Sequence, residues 1–306
     1  MKKIFLLSLV VVFLDGCSER IVRLAVMPDT QTYANEYPHV FRSQTEWIAA
    51  HADSIDFMLH EGDITHTGSD TEWQIAQESV CLLDGKVPYA LVLGNHDGSD
   101  KFNKYFPYSK YSVMPTFGGA FEEGKMDNIW LKFTAGKQKW IVMALEFTPR
   151  NKVVDWANEV AQQHPDYKII VLTHAYMYSD NTRLKTGNRG ITPDMEQQTG
   201  DDGRNNGEML WNKLVSRHAN MMFVFSGHIV YHNGVGRLVS RGEHGNEVYQ
   251  MLANYQKEVP GGNPDDGWLR IVTINLSRKY IDIKTYSPRL NRYRTEYDQQ
   301  FKFYMR

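Results

Sequence analysis

The strongest constraint on this chain is a recurrence. Short apolar or β-branched runs stand at 21–27 (IVRLAVM), 55–60, 88–93 (PYALVL), 139–147, 168–173 (KIIVLT) and 221–226 (MMFVFS). Stretches of helical periodicity fall between several of them, around 38–53, 70–83, 152–163 and 207–218. Runs too short to be helices, alternating with helices, predict an α/β fold with buried strands. The residues just past each run sharpen the expectation. After 21–27 comes Pro28-Asp29-Thr30-Gln31, and after 55–60 comes Glu61-Gly62-Asp63. Gly94-Asn95-His96-Asp97 comes after 88–93, His174 after 168–173, and Gly227-His228 after 221–226. Ligands of α/β sheets collect at the carboxyl edge of the strands, so these polar residues are expected to share one crevice. Singly, each has a plain structural role, as a turn residue, a helix cap or a satisfied core histidine. Their recurrence at equivalent places is what singles them out.

The rest of the chain sets the boundaries. From 247 onward, runs at 247–253, 268–276 and 280–287 show strand alternation and turn residues. With no linker before them, they are expected to be antiparallel strands completing a second sheet, so that 21–306 forms a single domain. "NPDDG" at 263–267 has too few spaced oxygen donors for a calcium loop and is expected to be a turn. Residues 98–128 and 179–207 look like long functional loops, the second a mobile lid.

At the N-terminus, Lys2 and Lys3 precede an apolar stretch from Ile4 to Leu14, too short to span a bilayer but suited to a signal peptide. Leu14-Asp15-Gly16-Cys17 resembles a bacterial lipoprotein cleavage box, with Asp15 departing from the small residue usual there. Residues 1–17 are thus expected to be a lipoprotein-type signal peptide ending at Cys17. The protein would be exported and held to a membrane by lipid at that residue only. Cys81, the other cysteine, lies in a helical pattern and is expected to be a small core residue. With 34 basic and 36 acidic side chains, no nucleic-acid-binding patch is evident.

Carboxylate, amide and imidazole donors suit divalent Zn, Mn or Fe, and the scarcity of cysteine excludes soft thiolate sites. A shared carboxylate can hold two such ions ~3.5–4 Å apart, acidify a water and clamp the oxygens of a displacement at phosphorus. Two ligand carboxylates leave two dications under-neutralised, which favours an anionic substrate.

The series "PDTQ…GD…GNHD…TH…GH" resembles the calcineurin-like metallophosphoesterase superfamily, whose pattern is DxH…GD…GNH(D/E)…H…GHxH. The likeness runs from Val26 to about Asn233. The downstream "NYQ…GGNPDDGWLRI…TYSP" is similar to the tail of secreted bacterial members with a DTQ first motif. The resemblance implies two facing β-sheets flanked by helices, in four αββα layers, and metal-dependent hydrolysis of a phosphate mono- or diester. It implies Asp63 as the bridging carboxylate, with Asn95, His174 and His228 completing one metal position. Asp29, Asp63 and Gln31 would serve the other, which is depleted because Gln31 and Val230 stand where histidines are usual. Two divalent ions are therefore implied, or one held tightly. His66, at the offset of a metal-ligating tyrosine in purple acid phosphatases, and His232, four residues past His228, are candidates for the missing ligand; water is another. His96 is the acid–base candidate, with Asp97 expected on its other ring nitrogen. Arg183 and Arg237 are candidate phosphate clamps. The alternative reading is a non-catalytic cell-surface protein that binds metal or anions on the same fold.

Overall fold

A computed structural model describes residues 19–190 and 202–306. The expected lipid-anchor segment and residues 191–201 of the polar loop lie outside the described residues.

Among the described residues there are two seven-stranded sheets. The first contains β1 (Ile21–Met27), β2 (Phe57–His60) and β3 (Tyr89–Leu91), mutually parallel in that order. The second contains β4 (Phe117–Ala120), β5 (Ile129–Ala135), β6 (Gln138–Leu145), β7 (Lys168–Thr173), β8 (Met221–Ser226), β9 (Val235–Arg241) and β10 (Glu247–Ala253). Within it β6, β7, β8 and β10 are parallel, with β9 antiparallel at the edge. The first sheet continues from β1 into β11 (Leu269–Asn275), β12 (Tyr280–Ser287), β13 (Arg292–Tyr293) and β14 (Gln300–Tyr304).

The period of two places the layers. Along β6, Trp140, Val142 and Ala144 belong to the core between the sheets, while Ile141, Met143 and Leu145 face a second core. That second core is closed by α6 (Asn151–Gln163) and α7 (Gly207–Lys213), through residues such as Val153, Ala157 and Leu210. On the far side α2 (Pro38–Ala50) and α3 (Asp70–Val80) cover the first sheet with Phe41, Ile48, Trp73 and Ala76. A short α1 (Gln31–Glu36) joins β1 to α2. Helix, sheet, sheet, helix is the four-layer α/β arrangement expected.

Three expectations are corrected. Strand β10 pairs in parallel with β8, Tyr249 opposite Phe223, whereas β11 and β12 extend the other sheet antiparallel to β1, so the tail divides between both sheets. Residues 98–128 are not one long loop but carry regular structure in α4 (Ser99–Tyr105), α5 (Tyr108–Tyr111) and β4. Cys81 is half-buried, and Lys110 Nζ donates to its Sγ at 3.3 Å. "NPDDG" is the expected turn, with the Asn263 side chain accepting from Asp265 N–H and Gly267 left-handed.

Candidate metal centre

The parallel strands deliver the residues beyond them to one edge: Asp29 beyond β1, Asp63 beyond β2, Asn95 and His96 beyond β3, His174 beyond β7, His228 beyond β8 and Asn254 beyond β10. The backbone there is unusual. Asp63 and His228 have φ of 46° and 69°, a region non-glycine residues seldom adopt. Close packing explains two glycines of the motifs. A Cβ on Gly94 would lie 2.0 Å from Asp63 Oδ1, and one on Gly227 would lie 2.0 Å from Asp29 Oδ1.

One ligand atom from each of Asp63, His174 and His228 lies within 4.8 Å of the other two. His174 is wholly buried, and its Nδ1 is 2.7 Å from the Glu61 carbonyl oxygen. A carbonyl only accepts, so Nδ1 carries the hydrogen and Nε2 turns to Asp63 Oδ2 at 3.2 Å. Similarly His228 Nε2 donates to the Gly190 carbonyl at 2.8 Å. Phe147 sets its ring 5.7 Å from His174 and 5.3 Å from His228, giving both imidazoles an apolar wall. Asn95 is exposed in the adjoining turn, where the His96 N–H donates to Asp63 Oδ1 at 3.1 Å.

Asp29 is 3% exposed and ringed by donors. Gln256 Nε2 reaches its Oδ2 at 2.7 Å and Asn254 Nδ2 at 2.9 Å, while the His228 N–H lies 3.2 and 3.3 Å from its two oxygens. Burial still pushes Asp29 up to about 7. Burial also opposes charge on Asp63 and His174. Their mutual attraction outweighs it, holding Asp63 down to about 2 and His174 up to about 9. Burial, together with the His174 charge, lowers His228 to about 4. Glu61, fully buried, is driven well above the usual carboxylate range by burial.

These residues fit divalent metal. Among the described residues Gln31 Oε1 is buried without a hydrogen-bond partner, His174 Nε2 faces only the Asp63 carboxylate, and the donor set of carboxylate, imidazole and amide is that of a borderline or hard cation. The family model of calcineurin-like phosphoesterases matches residues 22–232, more than half of the chain. The chain belongs to the calcineurin-like phosphoesterase family. The protein YvnB of Bacillus subtilis (strain 168) is 30% identical over 279 residues, which is 86% of this chain and 19% of that protein; the chain spans under a fifth of that relative's length. Purple acid phosphatase from yellow lupin (Lupinus luteus) seeds superposes with a TM-score of 0.51 at 13% identity, covering 93% of this chain and 54% of its own. GAP50 of Plasmodium, described as the anchor in the inner membrane complex, gives 0.52 at 13% identity, covering 94% and 89%. At that identity both superpositions speak for the fold alone.

For a calcineurin-like phosphoesterase, several sequence candidates stand elsewhere than expected. Asp97 does not partner His96. Its Oδ2 accepts from Ile64 N–H and Gly94 N–H, both at 3.0 Å, and its Oδ1 accepts from the Thr65 N–H at 2.9 Å and hydroxyl at 2.8 Å, stapling the β2 and β3 turns together. His96 Nδ1 donates instead to the His66 carbonyl at 2.8 Å. The His66 ring stacks on His96, centroids 5.3 Å apart and 17° from parallel, and is not in the Asp63 cluster. His232 is exposed, edge-on to Tyr178 at 6.3 Å. Arg183 spends its guanidinium on Glu208, Ser240 and Gln250, over the Trp211 ring. Arg237 lies 4.3 Å over Phe301. Val230 is half-buried and offers no donor. Two residues escaped the sequence reading, Asn254 and Gln256. The signal was there: "NYQ" comes after the apolar run 247–253 just as Asp29 and His174 come after theirs.

Proposed function

We propose that the chain is a metal-dependent phosphoesterase that hydrolyses a phosphate mono- or diester, with its Asp29 metal position depleted by Gln31 and Val230. The observation that carries this reading is the convergence of Asp63, His174 and His228 beside His96, whose Nδ1 is held by the His66 carbonyl and whose Nε2 has no hydrogen bond among the described residues. Divalent metal at these residues would supply Lewis acidity and a water acidic enough to attack phosphorus near neutral pH. The chain's own residues do the rest. Asp63 and His174 hold each other in the ligating orientation, and the Glu61 carbonyl fixes the His174 tautomer. His96 presents Nε2 for a proton on the departing oxygen, because the His66 carbonyl occupies Nδ1. An acid–base group at that place favours catalysis over binding of metal or anions alone.

The test is hydrolysis of nitrophenyl phosphate and bis-nitrophenyl phosphate after loading with Mn, Zn or Fe. Turnover of at least one ester, abolished by chelation and restored by metal, is expected. Metal-loaded protein that cleaves neither would sink the proposal and favour the binding-protein reading.

We also propose export and lipid attachment at Cys17, on the strength of Lys2, Lys3, the apolar 4–14 stretch and the Cys17 box alone. In a bacterial host Cys17→Ala should move the protein from the membrane to the soluble fraction. An unchanged membrane fraction would refute the anchor.

A further inference from the structure

We infer that the corner beside Asp29 is an all-oxygen position for a hard divalent cation, chemically distinct from the imidazole side, and that Asn254 and Gln256 are the positioning residues that hold Asp29 for it. This rests on the metal-dependent reading above, which leaves open which groups serve the position deprived of two histidines.

The hydrogen bonds run in one direction. The Asn254 amide is oriented by its own neighbourhood, because its Oδ1 accepts the Gln256 N–H at 3.1 Å. Its NH2 therefore faces Asp29 Oδ2, at 2.9 Å. Gln256 is fixed the same way, since its Oε1 accepts from Gln31 Nε2 at 2.7 Å and its NH2 donates to Asp29 Oδ2 at 2.7 Å. All of these side chains are buried. The ladder Gln31 to Gln256 to Asp29 thus leaves Gln31 Oε1 as a buried acceptor with no donor. Turning the Gln31 amide over cures nothing, because it would set its oxygen against Gln256 Oε1. A buried acceptor that no protein donor satisfies is what a cation ligand looks like before the cation is counted.

The carboxylate shows the same asymmetry. Oδ2 of Asp29 is saturated by two amides and a share of the His228 N–H, whereas among the described residues no side chain donates to Oδ1, which takes the shared His228 N–H at 3.3 Å. Amides that occupy one carboxylate oxygen fix its plane and leave the other to ligate. The oxygens these bonds leave short of donors are Asp29 Oδ1 and Gln31 Oε1, linked through Gln256, and with the Asp63 carboxylate, whose charge acts on Asp29, they make up the proposed ligand set. Among the described residues no imidazole joins them: His66 stacks on His96, His232 is exposed beside Tyr178, and Val230 has no donor atom. Carboxylate and amide oxygens with water suit Mn, Mg or Ca, whereas Asp63 with His174 and His228 suits Zn or Fe. The centre is accordingly one borderline ion held tightly on the imidazole side, and one hard ion held weakly beside Asp29.

The experiment counts metal on the folded protein and does not depend on turnover. Apoprotein is dialysed against Zn alone, and retained metal is measured by elemental analysis; one equivalent is expected. The Zn-loaded protein is then titrated with Mn while the electron paramagnetic resonance of free aqueous Mn is followed, and a second, weaker equivalent should appear. Gln256→Ala and Gln31→Leu should each weaken the Mn step by about 10–100-fold and leave the Zn equivalent intact. Gln31→His should convert the corner to a second retained Zn, which also guards against misfolding of the truncated variants. Wild-type protein that keeps two Zn equivalents overturns the inference while sparing the phosphoesterase reading. So does an Mn affinity indifferent to both Gln256→Ala and Gln31→Leu. Failure to retain any metal overturns both.

Discussion

Asp63→Asn is expected to strip the protein of metal and lower kcat/KM by about 10³-fold or more. Lewis-acid stabilisation of a phosphoryl transition state is worth several kcal/mol, and each ~1.4 kcal/mol is tenfold in rate. The substitution keeps shape and removes one ligating oxygen from the carboxylate that meets both His174 Nε2 and the His96 N–H. It has a second, independent signature in the metal-free protein. His174 is raised to about 9, burial opposing and the Asp63 and Asp29 carboxylates outweighing it, whereas an unfolded imidazole titrates near ~6.5. Between those values the folded state holds a proton that the unfolded state has released. This contribution to stability is therefore complete below pH ~6.5 and is lost as pH rises through about 9. Asp29, pushed up to about 7 by burial, acts in the same direction only up to that pH, and buried Glu61, driven above the usual carboxylate range, adds in the same sense, so over the span from about 7 to about 9 it is the comparison with Asp63→Asn that assigns the His174 share. His228, lowered to about 4 by burial, is neutral throughout it. Chelated wild-type protein should melt at progressively lower temperature across that span, and Asp63→Asn should flatten the slope. Full retention of metal, or a slope untouched by the substitution, would remove Asp63 from the centre of the site.

Much of this architecture is legible in the residues, and the physical reason is burial on both faces. Strands such as 168–173 and 221–226 pack against a second sheet on one side and helices on the other, so they read as unbroken apolar runs. β5 escapes such a reading because one of its faces is open, with Lys132 exposed. β4 escapes it because its sequence is FGGA, whose glycines make room for Trp130: a Cβ on Gly118 would sit 2.2 Å from that ring. The strand-end rule locates Asp29, Asp63, Asn95, His174 and His228, and it fails at Asn254 for a single reason. The run 247–253 has the same composition whether it pairs parallel or antiparallel, and only in the parallel pairing with β8 does its carboxyl end reach the site. The partner of His96 is hidden for a different one. A backbone carbonyl accepts that hydrogen bond in place of Asp97, and a carbonyl leaves no residue type to recognise.

That carbonyl is also why His96→Ala should separate chemistry from metal binding. The His96 contribution to the metal cluster is its N–H on Asp63 Oδ1, which alanine retains. What alanine removes is the ring, held by the His66 carbonyl at Nδ1 and by stacking 5.3 Å from the His66 ring. The position left for proton exchange is Nε2. Metal content should therefore be unchanged, while kcat falls ~10²–10⁴-fold for esters whose departing alkoxide needs a proton. Nitrophenolate leaves without one, so nitrophenyl esters should lose much less. A plot of log kcat against leaving-group pKa should steepen in the variant, and His96→Gln should behave as alanine does, since an amide cannot exchange a proton near neutral pH. An equal loss across all leaving groups would assign His96 to substrate placement and leave the proton to solvent. Loss of metal from the variant would mean that its ring, and not its backbone, belongs to the cluster.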